Sequence, residues 1–246
     1  MRPVCVAIAC VILGVSGMAT SSAISVSRPL EELEGKLERD PESLTLGAEY
    51  RRQIIAAGAY DRSIKLFERL SKRPQAGANA FLNLAFAYVD RVPAASAIRQ
   101  VFLGRDAIGA LTKSISIRPT ALAYLVRGLV NLYYDKAVFH RTDKGVADLE
   151  EARRWSSTDP RAPYAVRIFV ALGDGYWRLD QPIRARQVWR EGLVWFPADD
   201  RLRDRLNGSD DAVRRMIAHA LDADVRVDTS LRDVFPDVEG GAFSQE

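Results

Sequence analysis

Between Arg167 and Pro197, apolar residues recur at helical steps, break, and recur again. Phe169, Leu172 and Tyr176 fall three and four residues apart, with Gly173 beside Leu172. Ala185, Trp189 and Gly192 then repeat the spacing, and Pro197 follows. That periodicity puts each set on one face of a helix and predicts two helices in succession. Antiparallel helices approach closely only where side chains are small, so Gly173, Ala185 and Gly192 mark the contacts. Phe169, Leu172, Tyr176 and Trp189 are the knobs that fill the space around them. Pro197 cannot continue the second helix and marks its end. Pro182 fits that helix's first turn, and Asp180 is a candidate capping side chain before it.

The same register recurs upstream with decay. Gly58, Tyr60, Ser63, Phe67, Leu70 and Pro74 read as a second helix, although Tyr50 and Arg51 stand on its first helix where the last unit has Leu172 and Gly173. Phe81, Leu84, Ala85 and Tyr88 form a good first helix. Ala107, Leu111, Ser114 and Pro119 answer it after an insertion that contains Pro93 to Leu103. Tyr124 and Gly128, then Gly145, Leu149 and Ala152, give a third unit with a shorter insertion and a late Pro160. Leu30 to Pro41 reads as a leading half unit. Val213, Ile217 and Leu221 lie at helical spacing, with Ser209 or Asp210 as cap, and predict a closing helix that covers the apolar end of the array.

Over roughly residues 30–200 the chain resembles the tetratricopeptide-repeat family, whose large-Leu-Gly-Tyr, small-large-small-Pro pattern matches in full in the last unit. The resemblance implies an all-α fold, a right-handed superhelical array of antiparallel helix pairs with about four repeats and a C-terminal capping helix. The expected layout is a repeat domain over 28–206, with repeats near 44–77, 78–119, 121–160 and 166–199. A capping helix over 207–222 and an irregular tail over 223–246 follow.

The first 23 residues read as a secretory leader. Arg2 precedes a nearly uncharged apolar run from Val4 to Met18, and small residues allow cleavage near Ala19 or Ala23. The run is shorter than the roughly 20 residues that span a bilayer comfortably, so no transmembrane segment is expected in the mature chain. Export then means a periplasmic or extracellular protein of a bacterial envelope. Both cysteines, Cys5 and Cys10, lie inside the leader, so the mature chain has neither disulfide nor thiol nucleophile.

Composition narrows the function further. A charged fraction of 27%, a hydrophobic fraction of 48% and a net charge of +3 describe an ordinary globular chain, without the basic excess of a nucleic-acid binder. The two histidines, His140 and His219, have no second His or Cys at metal-ligand spacing. There is no Gly-x-Ser-x-Gly elbow and no phosphate-binding glycine loop. Adjacent acids such as Glu31-Glu32 and Glu150-Glu151 point in different directions on a helix and form no catalytic pair. Neither an enzymatic activity nor a cofactor or metal is expected. Asn207-Gly208-Ser209 reads as a turn.

In the family, ligands contact positions of the first helices that packing leaves free. Carried over, these are Arg167, Val170, Asp174, Trp177 and Arg178 in the last repeat, and Leu122, Leu125, Leu129, Leu132 and Tyr133 in the third. Asn79, Leu82, Phe86 and Asp90 follow in the second, and Arg52 and Ile55 in the first. The Lys/Asn clamp by which some members hold a C-terminal carboxylate is missing, because Ala48 and Arg52 take its places. The leucine stripe of the third repeat is expected to be covered by the insertion, or else to receive a peptide or a small apolar ligand. Trp155, Trp189 and Trp195, on second helices, read as packing residues.

The resemblance therefore implies an exported, non-enzymatic scaffold or adaptor that binds a protein or peptide in its concave groove. Alternatives are a ligand-binding accessory of an envelope transport system and an assembly subunit of an exported complex. An enclosed cavity would favour a small ligand and an open groove a peptide.

Overall fold

The computed structural model describes residues 20–134, 140–156, 162 and 164–221, with side chains from residue 28 onward. The leader up to residue 19, with Cys5 and Cys10, lies outside the described residues, as do Pro160 and the tail 223–246. Ala23, the second expected cleavage position, falls within the first helix.

Among the described residues, regular structure is helical throughout. The helices are α1 (Thr20–Arg39), α2 (Leu44–Ala57), α3 (Tyr60–Ser71), α4 (Ala78–Arg91), α5 (Ala97–Ile117) and α6 (Ala121–Tyr133). They continue with α7 (Thr142–Ser156), α8 (Ala165–Arg178), α9 (Pro182–Trp195), α10 (Asp200–Asn207) and α11 (Asp210–Ala220). A 3-10 turn, Val92–Ala94, precedes α5.

The ends follow from local chemistry. Ser43, Thr120, Asp199 and Ser209 cap α2, α6, α10 and α11, each side-chain oxygen accepting a backbone N–H of the first turn. Gly58 ends α2 at φ 64°, a left-handed conformation that glycine adopts without strain. Glu42 caps α4 from a distance, accepting the N–H groups of Gly77 at 2.9 Å and Ala80 at 3.0 Å. Asp180 is not the cap of α9. It takes φ 57° in the turn, and Gln181 occupies the cap position without a side-chain bond.

The helices stack in file. Each second helix lies between its own partner and the next first helix: α3 packs on α2 and α4, α5 on α4 and α6, α7 on α6 and α8, and α9 on α8 and α10. The first helices also touch along one wall, α2 with α4, α6 with α8, and α8 with α10. Small residues set the closest approaches. A Cβ on Gly128 would lie 3.1 Å from the Gly145 carbonyl oxygen, so α6 and α7 cross almost backbone to backbone. Leu30, Leu33 and Leu37 of α1 are almost wholly buried at the array's start.

Helix α6 links two core clusters. Leu122, Ala123, Val126 and Val130 belong to the cluster with α1–α5, and Leu125 and Leu132 to the cluster with α7–α11. This corrects the expectation for the leucine stripe. Its apolar surplus exists because the helix is covered on both sides by neighbouring pairs, and a helix hydrophobic all round is a buried one. The insertion does not cover it. Pro93 to Leu103 forms the 3-10 turn and the first turns of α5, where Ile98 is 75% and Phe102 44% exposed and Leu103 is the one fully buried residue, with Ala95 partly packed beside the core.

Two further expectations fail. Among the described residues two helices, not one, follow the last pair: α10 was not anticipated, and its Leu202 is fully buried against Gly192 and Phe169. Trp189 packs at 0% exposure, whereas Trp155 and Trp195 are 46% and 39% exposed.

Candidate functional site at the inner wall

The wall formed by α2, α4, α6, α8 and α10 carries most of the residues singled out from the sequence, and packing uses many of them. Leu82, Phe86 and Asp90 on α4 are 1%, 2% and 3% exposed. Arg51 of α2, standing where a glycine was expected, runs over the Phe86 ring at 4.4 Å and reaches Asp90 at 3.4 Å. Asn79 is tied down as well. Its backbone N–H and side-chain amide donate to Glu42, and its oxygen accepts from Arg118 at 3.1 Å. Leu125 and Leu132 are core residues, and Leu129 and Val170 are half-buried against the same cluster. These positions hold the stack together, and of them only Leu132 also borders an open recess.

Asp174 is similarly engaged. It is 4% exposed and accepts two hydrogen bonds from Arg205 of α10, at 2.6 and 2.9 Å. Burial pushes its carboxyl up, while the charge and hydrogen bonds of Arg205 oppose that rise. Arg205 was not foreseen, since an Arg in a charged stretch carries no sign of burial. Arg178 of α8 donates to the Leu132 carbonyl oxygen at 2.6 Å, fastening α8 to the end of α6. Tyr176 faces outward from the wall, donating to Glu150 at 2.5 Å. Burial first, and then that carboxylate, push its hydroxyl up to about 12.

At the C-terminal end the wall opens. A cleft of about 400 Å³ lies between α6, α8 and α11, lined by Leu132, Tyr133, Trp177, Arg178, Arg214, Ile217, Ala218 and Leu221. Four sequence candidates, Leu132, Tyr133, Trp177 and Arg178, meet here. Arg167, at the start of α8, and Arg52 and Ile55, on α2, do not belong to the lining. The α11 residues complete it; their helical spacing was legible as a closing helix, but not as one side of a recess.

Trp177 is held in place by its own neighbours. Its ring stacks on Trp189 at 5.8 Å with planes 28° apart, and the Arg186 guanidinium lies 4.9 Å from the ring centre. Among the described residues the lining contains two guanidiniums, Arg178 and Arg214, and no carboxylate. Arg214 pairs with Asp211 at 2.8 Å on the solvent side, where both side chains are well exposed. Such a pair contributes roughly 0–1 kcal/mol and exchanges readily for another anion. The cleft thus combines a preset aromatic face, an aliphatic floor and cationic edges.

A second crevice, about 360 Å³, lies between α1 and α3 beside Glu34, Arg62, Lys65, Leu66 and Arg69. Glu34 is already satisfied there, accepting from Tyr50 at 2.7 Å and from Arg62 at 2.6 and 3.1 Å. Burial opposes its ionisation, but the bonds from Arg62 and Tyr50 and the charges of Arg62 and Arg69 hold its carboxyl below the usual value. Among the described residues no cluster of His, Cys, Asp and Glu could hold a metal ion. No described helix is long and apolar enough to cross a membrane.

No family model matches the chain, and no curated protein matches it. Among solved structures it is similar to a thermophilic TPR protein of Thermus thermophilus, with 22% identity and a TM-score of 0.55, over 78% of this chain and 93% of that one. Paired helices stacked in file, close glycine crossings and this likeness together establish that the chain has the tetratricopeptide-repeat fold.

Proposed function

We propose that the chain is an exported, non-enzymatic scaffold that holds an extended segment of a protein at the C-terminal end of its inner wall. The observation that carries this reading is the cleft itself, open along one side and furnished with Trp177, Arg178 and Arg214. Trp and Arg dominate interface energetics because they combine large contact area with directional bonding. The open shape favours a peptide over an enclosed small ligand. The two guanidiniums favour a segment that carries carboxylates beside apolar side chains. Export rests on the leader read from residues 1–23.

The test is selection of peptides from a random library on the chain, with captured sequences titrated against Trp177→Ala and Arg214→Glu. Enrichment of acidic, apolar peptides whose binding depends on both residues supports the reading. Absence of enrichment, or equal binding by the variants, removes the cleft from consideration. Export is checked separately by mass spectrometry of the secreted chain, whose first residue should be Thr20 or Ile24.

A further inference from the structure

We infer that the cleft is occupied in the resting protein by the chain's own C-terminal segment, residues 233–239, which any external partner must displace. The inference rests on the reading of the cleft as a peptide site. Three observations carry it. The first is position. Leu221 lines the cleft and is the last described residue, so the following chain leaves from the rim of the site.

The second is charge. Residues 222–246 contain seven acidic and two basic residues, against a lining whose described residues include two guanidiniums and no carboxylate, Arg214 being held only by the exposed Asp211 pair. The third is pattern. Asp233-Val234-Phe235-Pro236-Asp237-Val238-Glu239 places one aromatic and two aliphatic side chains among three acids, with no base. Phe235 matches the Trp177 face, and Asp233 and Asp237 match Arg178 and Arg214.

Reach and concentration favour the contact. A spacer of this length, residues 222–232, has a root-mean-square span of about 20 Å, enough to return to the helix from which it departs. Tethering sets an effective concentration on the order of millimolar, so weak intrinsic affinity suffices to keep the site filled. Free partners then bind at an affinity reduced by the fraction of cleft that is open.

The experiment titrates a fluorescein-labelled peptide of residues 228–246 into full-length chains and reads anisotropy. The first chain is unaltered and the second carries Asp233→Asn, Phe235→Ala and Asp237→Asn. The third and fourth add Trp177→Ala or Arg214→Glu to the second. The second chain is expected to bind the peptide at least ten-fold more tightly than the first, and the third and fourth to lose that binding. Arg214 is exposed, so the fourth chain keeps the test alive if the third unfolds.

Equal affinity in the first and second chains, or binding indifferent to both cleft substitutions, overturns the inference. If library peptides bind the first and second chains equally through Trp177 while the tail peptide does not, the tail inference falls and the scaffold reading stands. If nothing binds through Trp177, both fall.

Discussion

Trp189 lies so close to Gly173 that a Cβ built on the glycine would sit 2.0 Å from the indole Nε1. The indole is wholly buried and stacks on Trp177, so it cannot swing away. Gly173→Ala should therefore destabilise the chain by about 1–3 kcal/mol, and Gly173→Leu by at least as much, through overpacking. Urea midpoints measure this. A double-mutant cycle with Trp189→Phe should show a coupling above roughly 0.5 kcal/mol, and strict additivity would mean that the contact is not what makes the glycine necessary.

The Asp174–Arg205 pair predicts an asymmetry. Arg205→Met leaves a buried carboxylate without its partner and should cost about 3–5 kcal/mol. Replacing both, with Asp174→Leu and Arg205→Met, should recover most of that loss, since well-packed apolar residues often substitute for a buried pair without penalty. Chemical denaturation of the two single variants and the double variant decides it. Equal losses in Arg205→Met and the double variant would mean that Arg205 contributes through its aliphatic stem and the Arg201 carbonyl oxygen that it also meets.

Glu34 ties α1 to the array and predicts an acid-sensitive contribution. Its carboxyl ionises more easily in the folded chain than in the unfolded one, so its stabilisation is complete above the usual value of 4.5 and is lost as pH falls through the lower, folded value. Glu34→Gln should lower stability by roughly 1 kcal/mol at pH 7, a charge-assisted contribution reduced by partial exposure. The difference from the unaltered chain should shrink as pH falls below the usual value and through the lower, folded one. A difference that persists unchanged into acid would assign the effect to packing.

Trp177→Ala with Arg214→Ala removes the aromatic face and one cationic edge of the cleft. Because Arg214 is exposed and Trp177 is half-buried, the helical content should stay the same while affinity for a selected peptide falls at least ten-fold. Circular dichroism and anisotropy on the same samples check the two halves of this statement. An unaltered affinity would place the binding surface elsewhere.

The helix pairs were readable because their spacing rests on steric rules that act locally: Gly173 under Trp189, Ala185 and Gly192 on the next helix, Pro197 at its end. The leucines of α6 misled for a physical reason. Periodicity reports that a face is apolar, and it does not report which neighbour covers it. In α6, one set of leucines faces the preceding pairs and the other the following ones. Asp90 and Asp174 were legible as wall positions, yet their partners Arg51 and Arg205 were not, because pairing across an array depends on stacking that the sequence does not encode locally. Helix α10 escaped because it is short and strongly charged, with Leu202 as the single wholly buried apolar anchor.

Helix α11 divides its duties between two sides. Val213, at 0% exposure, seats it in the core, Ile217, at 4%, packs there and also borders the recess, and Arg214, Ala218 and, just past the helix end, Leu221 complete that border. Val213 thus anchors, Ile217 does both, and Arg214, Ala218 and Leu221 border the recess. On the proposed reading of the recess as a peptide site, a lineage of such proteins can retune what it grips by editing Arg214, Ala218 and Leu221 alone, while the stacking of the pairs beneath stays as it was.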